Sequence, residues 1–217
     1  MTSHNYIFFS LNPSFYALPS SVQKKSKQQF LKALQQEKEV VIYTYATLGL
    51  KANTAIMLWL QAETFDAIQV YINTLMHTKL GEHLSITQTL LGMARPTQYS
   101  PLATGYMKTQ RKGGRYLVIY PFTKTKEWHL LAFEKRRSLM GGHVMIGKKY
   151  PQIEQVLLYS YGIDDSEFIV SYEMDDLLAF QSLVMELRTD AVRAYTQKDT
   201  PIYTCIYKTP EEVVRFL

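Results

Sequence analysis

The chain has 217 residues, 47% of them hydrophobic and 20% charged, which is ordinary globular usage and excludes a disordered or collagen-like chain. Lys and Arg number 24 against 19 Asp and Glu, a net charge of +5 that suits an anionic small molecule but is too small to indicate nucleic acid. The single cysteine, Cys205, excludes an internal disulfide framework and a cysteine-built metal site, and reads as a small buried hydrophobe.

The apolar run from Tyr6 to Phe9 is interrupted by Asn12 and Pro13 and has no basic region before it, so it does not read as a targeting segment. The longest uncharged apolar stretch, residues 40–50, is far short of the roughly 20 residues a spanning helix needs. The expectation is a cytoplasmic protein without a membrane span.

In chain order, residues 6–11 read as a strand, and 23–37 as a helix with Phe30, Leu31 and Leu34 on its apolar side. Residues 40–46 and 55–61 are β-branched and aromatic runs joined by a turn containing Gly49 and Asn53. Residues 64–78 carry Phe65, Ile68, Ile72 and Leu75 at helical spacing behind a capping Thr64, and 84–93 is a strand. A break follows, with Pro96, Pro101, Gly105 and the basic pair Arg111 and Lys112. Then the order repeats. Residues 116–122 are a strand, 127–150 a long helix, 155–161 and 167–172 strands, 175–188 a helix and 201–207 a strand. The organisation predicted is an N-terminal half (1–94), a linker (95–114) and a C-terminal half (115–217). Each half follows the βαββαβ, ferredoxin-like plan. Two such sheets must bury their open faces, and forming an α+β barrel within one chain does so.

Phosphate-binding glycine loops and His-Glu-x-x-His are absent, and the five histidines show no metal-clasping pair. His143 stands out. It shares a helical stripe with Leu139, Ile146 and Tyr150, and Gly141, Gly142 and Gly147 surround it. A mid-helix glycine costs about 1 kcal/mol against alanine, so three invite a reason, such as close approach of something flat. The pattern fits a satisfied core histidine beside a kink, and also an imidazole that holds haem iron. In Tyr120-Pro-Phe-Thr-Lys124, alternation puts Tyr120, Phe122 and Lys124 on one face, either as a strand end with a solvated lysine or as a phenol beside an anion-holding ammonium. Asp164 and Asp165, after Gly162, read as turn-forming residues.

The run Arg115-Tyr-Leu-Val-Ile-Tyr-Pro-Phe-Thr-Lys124, with Glu127 and Trp128, resembles the strand-and-turn signature of the chlorite dismutase superfamily. Arg136-Arg-Ser-Leu-Met140, His143, Ile146-Gly147 and Tyr150 are similar to its helix signature, and the likeness continues through Gln155 to Asp165, Leu187-Arg188 and Thr200-Pro-Ile-Tyr203. The resemblance implies two ferredoxin-like halves with haem in the second and His143 as the proximal iron ligand. It implies Tyr120 as a radical tyrosine, with Phe122 in place of the family's methionine, and Lys124 on a propionate. Trp128 joins the same site. Allowing one deleted residue after Tyr150 puts Gln155 at the distal position; otherwise Val156 stands there, and neither is arginine. That disfavours chlorite decomposition and favours the branch that decarboxylates two propionates of Fe-coproporphyrin III (coproheme) with hydrogen peroxide, giving haem b. Arg193 stands where the family has a propionate-binding serine, and Arg95, Arg111 and Arg115 are candidates for the linker arginine. The resemblance further implies a homo-oligomer, as a pentamer, and transient contact with coproporphyrin ferrochelatase. The rival expectations are a haem-binding carrier or sensor with weak peroxidase activity, and a barrel whose cavity takes another small ligand.

Overall fold

The computed structural model describes residues 2–36, 39–97, 99 and 110–217. The expected linker landmarks Pro101 and Gly105, and the last residue of the first expected helix, lie outside them. The chain divides into two compact units, residues 1–93 with 203–217, and residues 94–202.

The first unit is built from β1 (Ser3–Leu11), α1 (Ser20–Gln35), β2 (Val41–Ala46), β3 (Ile56–Ala62), α2 (Phe65–Met76) and β4 (Leu84–Met93). The strands are ordered β4-β1-β3-β2, and every neighbouring pair is antiparallel. This is the ferredoxin-like order that the sequence predicts. Alternate residues Ile7, Phe9, Ile56, Leu58 and Leu60 face Phe30, Leu34, Ile68 and Leu75 of the helices. Thr64 caps α2 by accepting the Ala67 N–H. The β2–β3 connection turns through Gly49 and Asn53, both at positive φ, where glycine and asparagine are tolerated.

The second unit contains β5 (Tyr116–Lys124), α3 (Lys126–Leu130), α4 (Phe133–Gly147), β6 (Glu154–Tyr159), β7 (Phe168–Met174), α5 (Leu177–Thr189) and β8 (Thr196–Lys198). Its strand order β6-β7-β5-β8 repeats the plan of the first unit. Asp176 caps α5, and the Asp164 carboxylate accepts the Asp165 N–H inside the turn, as its turn-forming reading requires.

Two expectations need correction. The long helix expected over 127–150 is broken. Leu131 and Ala132 are extended, so α3 and α4 run on separate axes, although no glycine or proline marks the break. Burial of Trp128 under the Lys124 side chain takes α3 out of line with α4. The expected closing strand 201–207 becomes β9 (Tyr203–Tyr207), which pairs with β2. Val213, Val214 and Leu217, in α6 (Pro210–Val213) and the turn after it, pack into the core of the first unit. The second half therefore ends at Ile202 rather than at residue 217, and β8 is the strand that completes its sheet.

Candidate functional site

All the side chains singled out for chemistry belong to the second unit. Cross-strand pairs stand on one face of a sheet. Val118 lies opposite Tyr172, and Tyr172 opposite Gln155; Tyr120 lies opposite Val170, and Val170 opposite Leu157; Phe122 lies opposite Phe168, and Phe168 opposite Tyr159. Tyr120, Tyr172 and Gln155 therefore share a face. Val156 pairs with Ser171 and points to the other side, so the register separates the two candidates for the distal position.

This face is packed with Val118, Val170, Tyr172, Met174, Phe180 and Leu183, with Tyr120, Ile146 and Tyr150 against them. The Tyr120 and Tyr172 rings are stacked, with centroids 6.1 Å apart and planes at 28°. Burial pushes both phenols up from the usual tyrosine range, Tyr172 well up. Beyond Tyr120, Asp199 accepts from Arg188 at 2.6 Å and from Arg193 at 2.8 Å, an ion triad whose charges reach the Tyr120 hydroxyl. Arg193, expected on a propionate, is thus already engaged with Asp199, a partner that its sequence neighbourhood does not reveal.

Lys124 ends β5. Its backbone N–H donates to Glu167 at 2.8 Å, and the other Glu167 oxygen lies 2.7 Å from His129 Nε2. The side chain is 7% exposed, with its ammonium 4.5 Å above the Trp128 ring and 5.5 Å from Phe122. Among the described residues it forms no ion pair. Burial lowers its pKa to about 8, against the opposing pull of Glu167. Of its two sequence readings, the solvated lysine is excluded. Trp128 is the buried platform beneath it.

His143 projects from α4 and is half-buried. Its Nδ1 is buried and has no hydrogen-bond partner among the described residues. Desolvation lowers its pKa, Asp190 opposes that, and Lys124 adds to it, so the ring is neutral near pH 7. The reading as a satisfied core histidine is therefore excluded. The helix stripe Leu139, Met140, His143, Ile146 and Tyr150 is only half-buried, and no residue of α4 is fully buried. An apolar stripe that does not seal leaves room for a ligand. The glycines do not report such a ligand directly. A Cβ at Gly141 or Gly147 would meet open space, and one at Gly142 only the Asp190 carboxylate at 3.6 Å.

Tyr120, Lys124, Trp128, His143 and Arg193 are thus brought into one electrostatically coupled neighbourhood, while Gln155 is exposed on the same sheet face. Among the linker arginines, Arg95 lies 5.7 Å over Tyr159, on that face. Arg111 binds the Gly114 carbonyl, and Arg115 covers Tyr116. Sequence reasoning missed Tyr172, Asp190 and Asp199. Strand alternation with Phe168 and Val170 could have found the first; the other two act across the fold.

The chlorite dismutase family model matches residues 23–208. A coproheme decarboxylase of Mycolicibacterium smegmatis is 27% identical over 176 residues, covering 81% of this chain and 76% of that protein. A chlorite dismutase of Ideonella dechloratans is 25% identical over 189 residues, covering 82% and 66%. A solved mutant of chlorite dismutase from Candidatus Nitrospira defluvii gives a TM-score of 0.91 at 23% identity over 99% of this chain and 95% of its own. The structure of that dismutase in complex with imidazole gives 0.89 at 23% identity, over 99% and 94%. With the family model spanning most of the sequence and both units built on the same ferredoxin-like plan, this protein belongs to the chlorite dismutase family.

Proposed function

We propose that the second unit binds Fe-coproporphyrin III and, with hydrogen peroxide as oxidant, converts two of its propionates to vinyl groups, giving haem b. The observation that carries this reading is the Lys124 ammonium, buried on Trp128 and forming no ion pair among the described residues, on the strand that also bears Tyr120. A buried cation is costly until an anion arrives, and a propionate carboxylate is such an anion. The relative named coproheme decarboxylase supports a four-propionate porphyrin as that ligand. With glutamine at position 155 and valine at 156, no arginine stands at the distal position, which disfavours chlorite as substrate.

The residues present suit an iron porphyrin. His143 is neutral, half-buried and, among the described residues, without a hydrogen-bond partner at Nδ1, so its imidazole would be available to hold the iron. When bound, the iron porphyrin and peroxide supply the oxidising equivalents. Tyr120 relays them. Its hydroxyl gives up a hydrogen atom, and the resulting phenoxyl takes one from the propionate β-carbon; the carbon radical left there gives up a second electron to the same oxidant as carbon dioxide leaves, so each vinyl group formed uses both oxidising equivalents of one peroxide. Lys124 holds the carboxylate meanwhile, and Gln155 takes the distal place on the Tyr120 face. Arg95 is the better placed of the linker arginines to meet a second propionate. A homopentamer belongs to the same reading, and the mass in solution tests it.

The decisive experiment is titration of the purified protein with coproheme and with haem b, then stoichiometric peroxide and mass spectrometry. The expected product has lost carbon dioxide and two hydrogens from each of two propionates. A porphyrin that keeps all four carboxyls while peroxide is consumed would overturn the decarboxylase in favour of a haem-binding carrier or sensor. Tyr120→Phe is expected to bind coproheme normally and to decarboxylate it slower by about a hundredfold or more.

A further inference from the structure

The His143 face of α4 carries a second unmet polar group. Arg136, Met140 and His143 stand at i, i+4 and i+7, so they share one side of the helix. Arg136 lies about two turns before His143, about 10 Å along the axis. It is half-buried, and its Nε, like His143 Nδ1, is buried with no hydrogen-bond partner among the described residues. Nor does its guanidinium form an ion pair among them. An arginine does not shed its proton, so the desolvated N–H remains a donor in want of an acceptor.

The surroundings indicate what kind of acceptor fits. The Arg136 charge reaches the Tyr161 hydroxyl, and the Tyr161 ring stands edge-on to Phe168 at 5.0 Å. Phe168 is stacked on Phe122 at 4.7 Å, and the Lys124 ammonium lies 5.5 Å from the Phe122 ring. A row of three rings thus has Lys124 at one end and Arg136 at the other, and Arg136 shares its helix with His143. Glu167 acts on both Lys124 and Tyr161, but its carboxylate is already engaged by the Lys124 N–H and by His129. A small inorganic anion would meet one of these cations and make no use of the rings. A flat apolar ligand with carboxylates at separate points of its rim matches both.

We propose that Arg136 is a carboxylate-binding residue of this site, which holds a propionate other than the one on Lys124. Its use is orientation. Lys124 alone would accept any of the four propionates of coproheme, because the ring can turn about the bond from His143 to iron. Those propionates are unevenly spaced round the rim, so a second cation at a fixed separation admits only pairs with the matching spacing. Arg136 thereby selects which propionate faces Tyr120. The inference rests on the proposed function, which supplies the ligand.

The test is equilibrium titration of wild type, Arg136→Gln, Arg136→Lys and Arg137→Gln, followed in the visible spectrum. The ligands are coproheme and, as a probe without free carboxylates, the dimethyl ester of haem b in detergent. Arg136→Gln is expected to bind coproheme about tenfold more weakly, the worth of one charge-assisted hydrogen bond, and the ester as wild type does. Arg136→Lys keeps the charge without the planar fork and should fall between wild type and Arg136→Gln for coproheme. Arg137→Gln removes the same net charge from an exposed neighbour and should leave both affinities unchanged. Three results would overturn the anchor: coproheme bound equally by wild type and Arg136→Gln, both ligands weakened alike, or an equal loss in Arg137→Gln. Carbon dioxide release after peroxide is followed on the same samples. Selective weakening in Arg136→Gln without release from wild type would overturn the decarboxylase and leave the anchor standing. Normal release with coproheme affinity indifferent to Arg136 would do the reverse.

Discussion

Replacing Lys124 with methionine should make the ligand-free protein more stable. The lysine is buried, has no ion pair among the described residues, and its pKa falls from 10.5 to about 8 chiefly through desolvation. That shift is worth about 3 kcal/mol against the charged form. The contact between the ammonium and Trp128 at 4.5 Å returns about 1–2 kcal/mol. Methionine keeps most of the stem packing and removes both terms, so at pH 7 Lys124→Met should gain about 1–2 kcal/mol. The sign with pH follows from proton binding. Between about 8 and 10.5 the folded protein has released this proton while the unfolded chain still holds it, so stability gained from Lys124 rises with pH across that window. The variant lacks this rise, and its advantage should vanish by pH 10. Urea unfolding of both proteins at pH 7 and pH 10 measures it, and other titrating groups cancel in the difference. Adding coproheme should stabilise wild type more than the variant, since only wild type meets the carboxylate with a charge. A variant less stable than wild type at pH 7, or a gap unchanged at pH 10, would refute a desolvated, anion-seeking lysine.

Three further outcomes follow from the geometry. His143→Ala should leave ligand-free stability within about 1 kcal/mol, because the ring is half-buried and lacks a partner at Nδ1, yet the visible spectrum with coproheme should lose its axial-imidazole character. Gly141→Ala should raise thermal stability by the equivalent of about 0.5–1 kcal/mol, since its Cβ meets open space in the middle of α4. Glu173→Ala should cost about 3 kcal/mol in urea unfolding. Its buried carboxylate accepts the N–H groups of Lys112, Gly113 and Gly114 at 2.6–2.7 Å, and water would have to replace it there.

Much of the fold could be read directly. The switch between twofold and 3.6-fold apolar spacing marked every element of the first βαββαβ repeat to within a few residues, and the first three strands and the last helix of the second, because that spacing decides which side chains can be buried together. The turn at Asp164 was equally local, since its hydrogen bonds join neighbours in sequence. The break at Leu131 and Ala132 was not, because the intact helical pattern gives no sign that Trp128 must turn inward under Lys124. The pairing of β9 with β2 also escaped, since edge strands of equal propensity compete for partners that only the assembled sheet offers.

The candidate site divides along the same line. Residue type and alternation alone marked Tyr120, Lys124 and His143, because a phenol, an amine and an imidazole in those patterns have few chemical uses. Only the tertiary structure decided their states: whether Lys124 is solvated, whether His143 is satisfied, which of Gln155 and Val156 shares the Tyr120 face, and that Arg193 binds Asp199. Charge and hydrogen bonding depend on burial and on groups distant in sequence, whereas a side chain's identity and its place in a repeat do not.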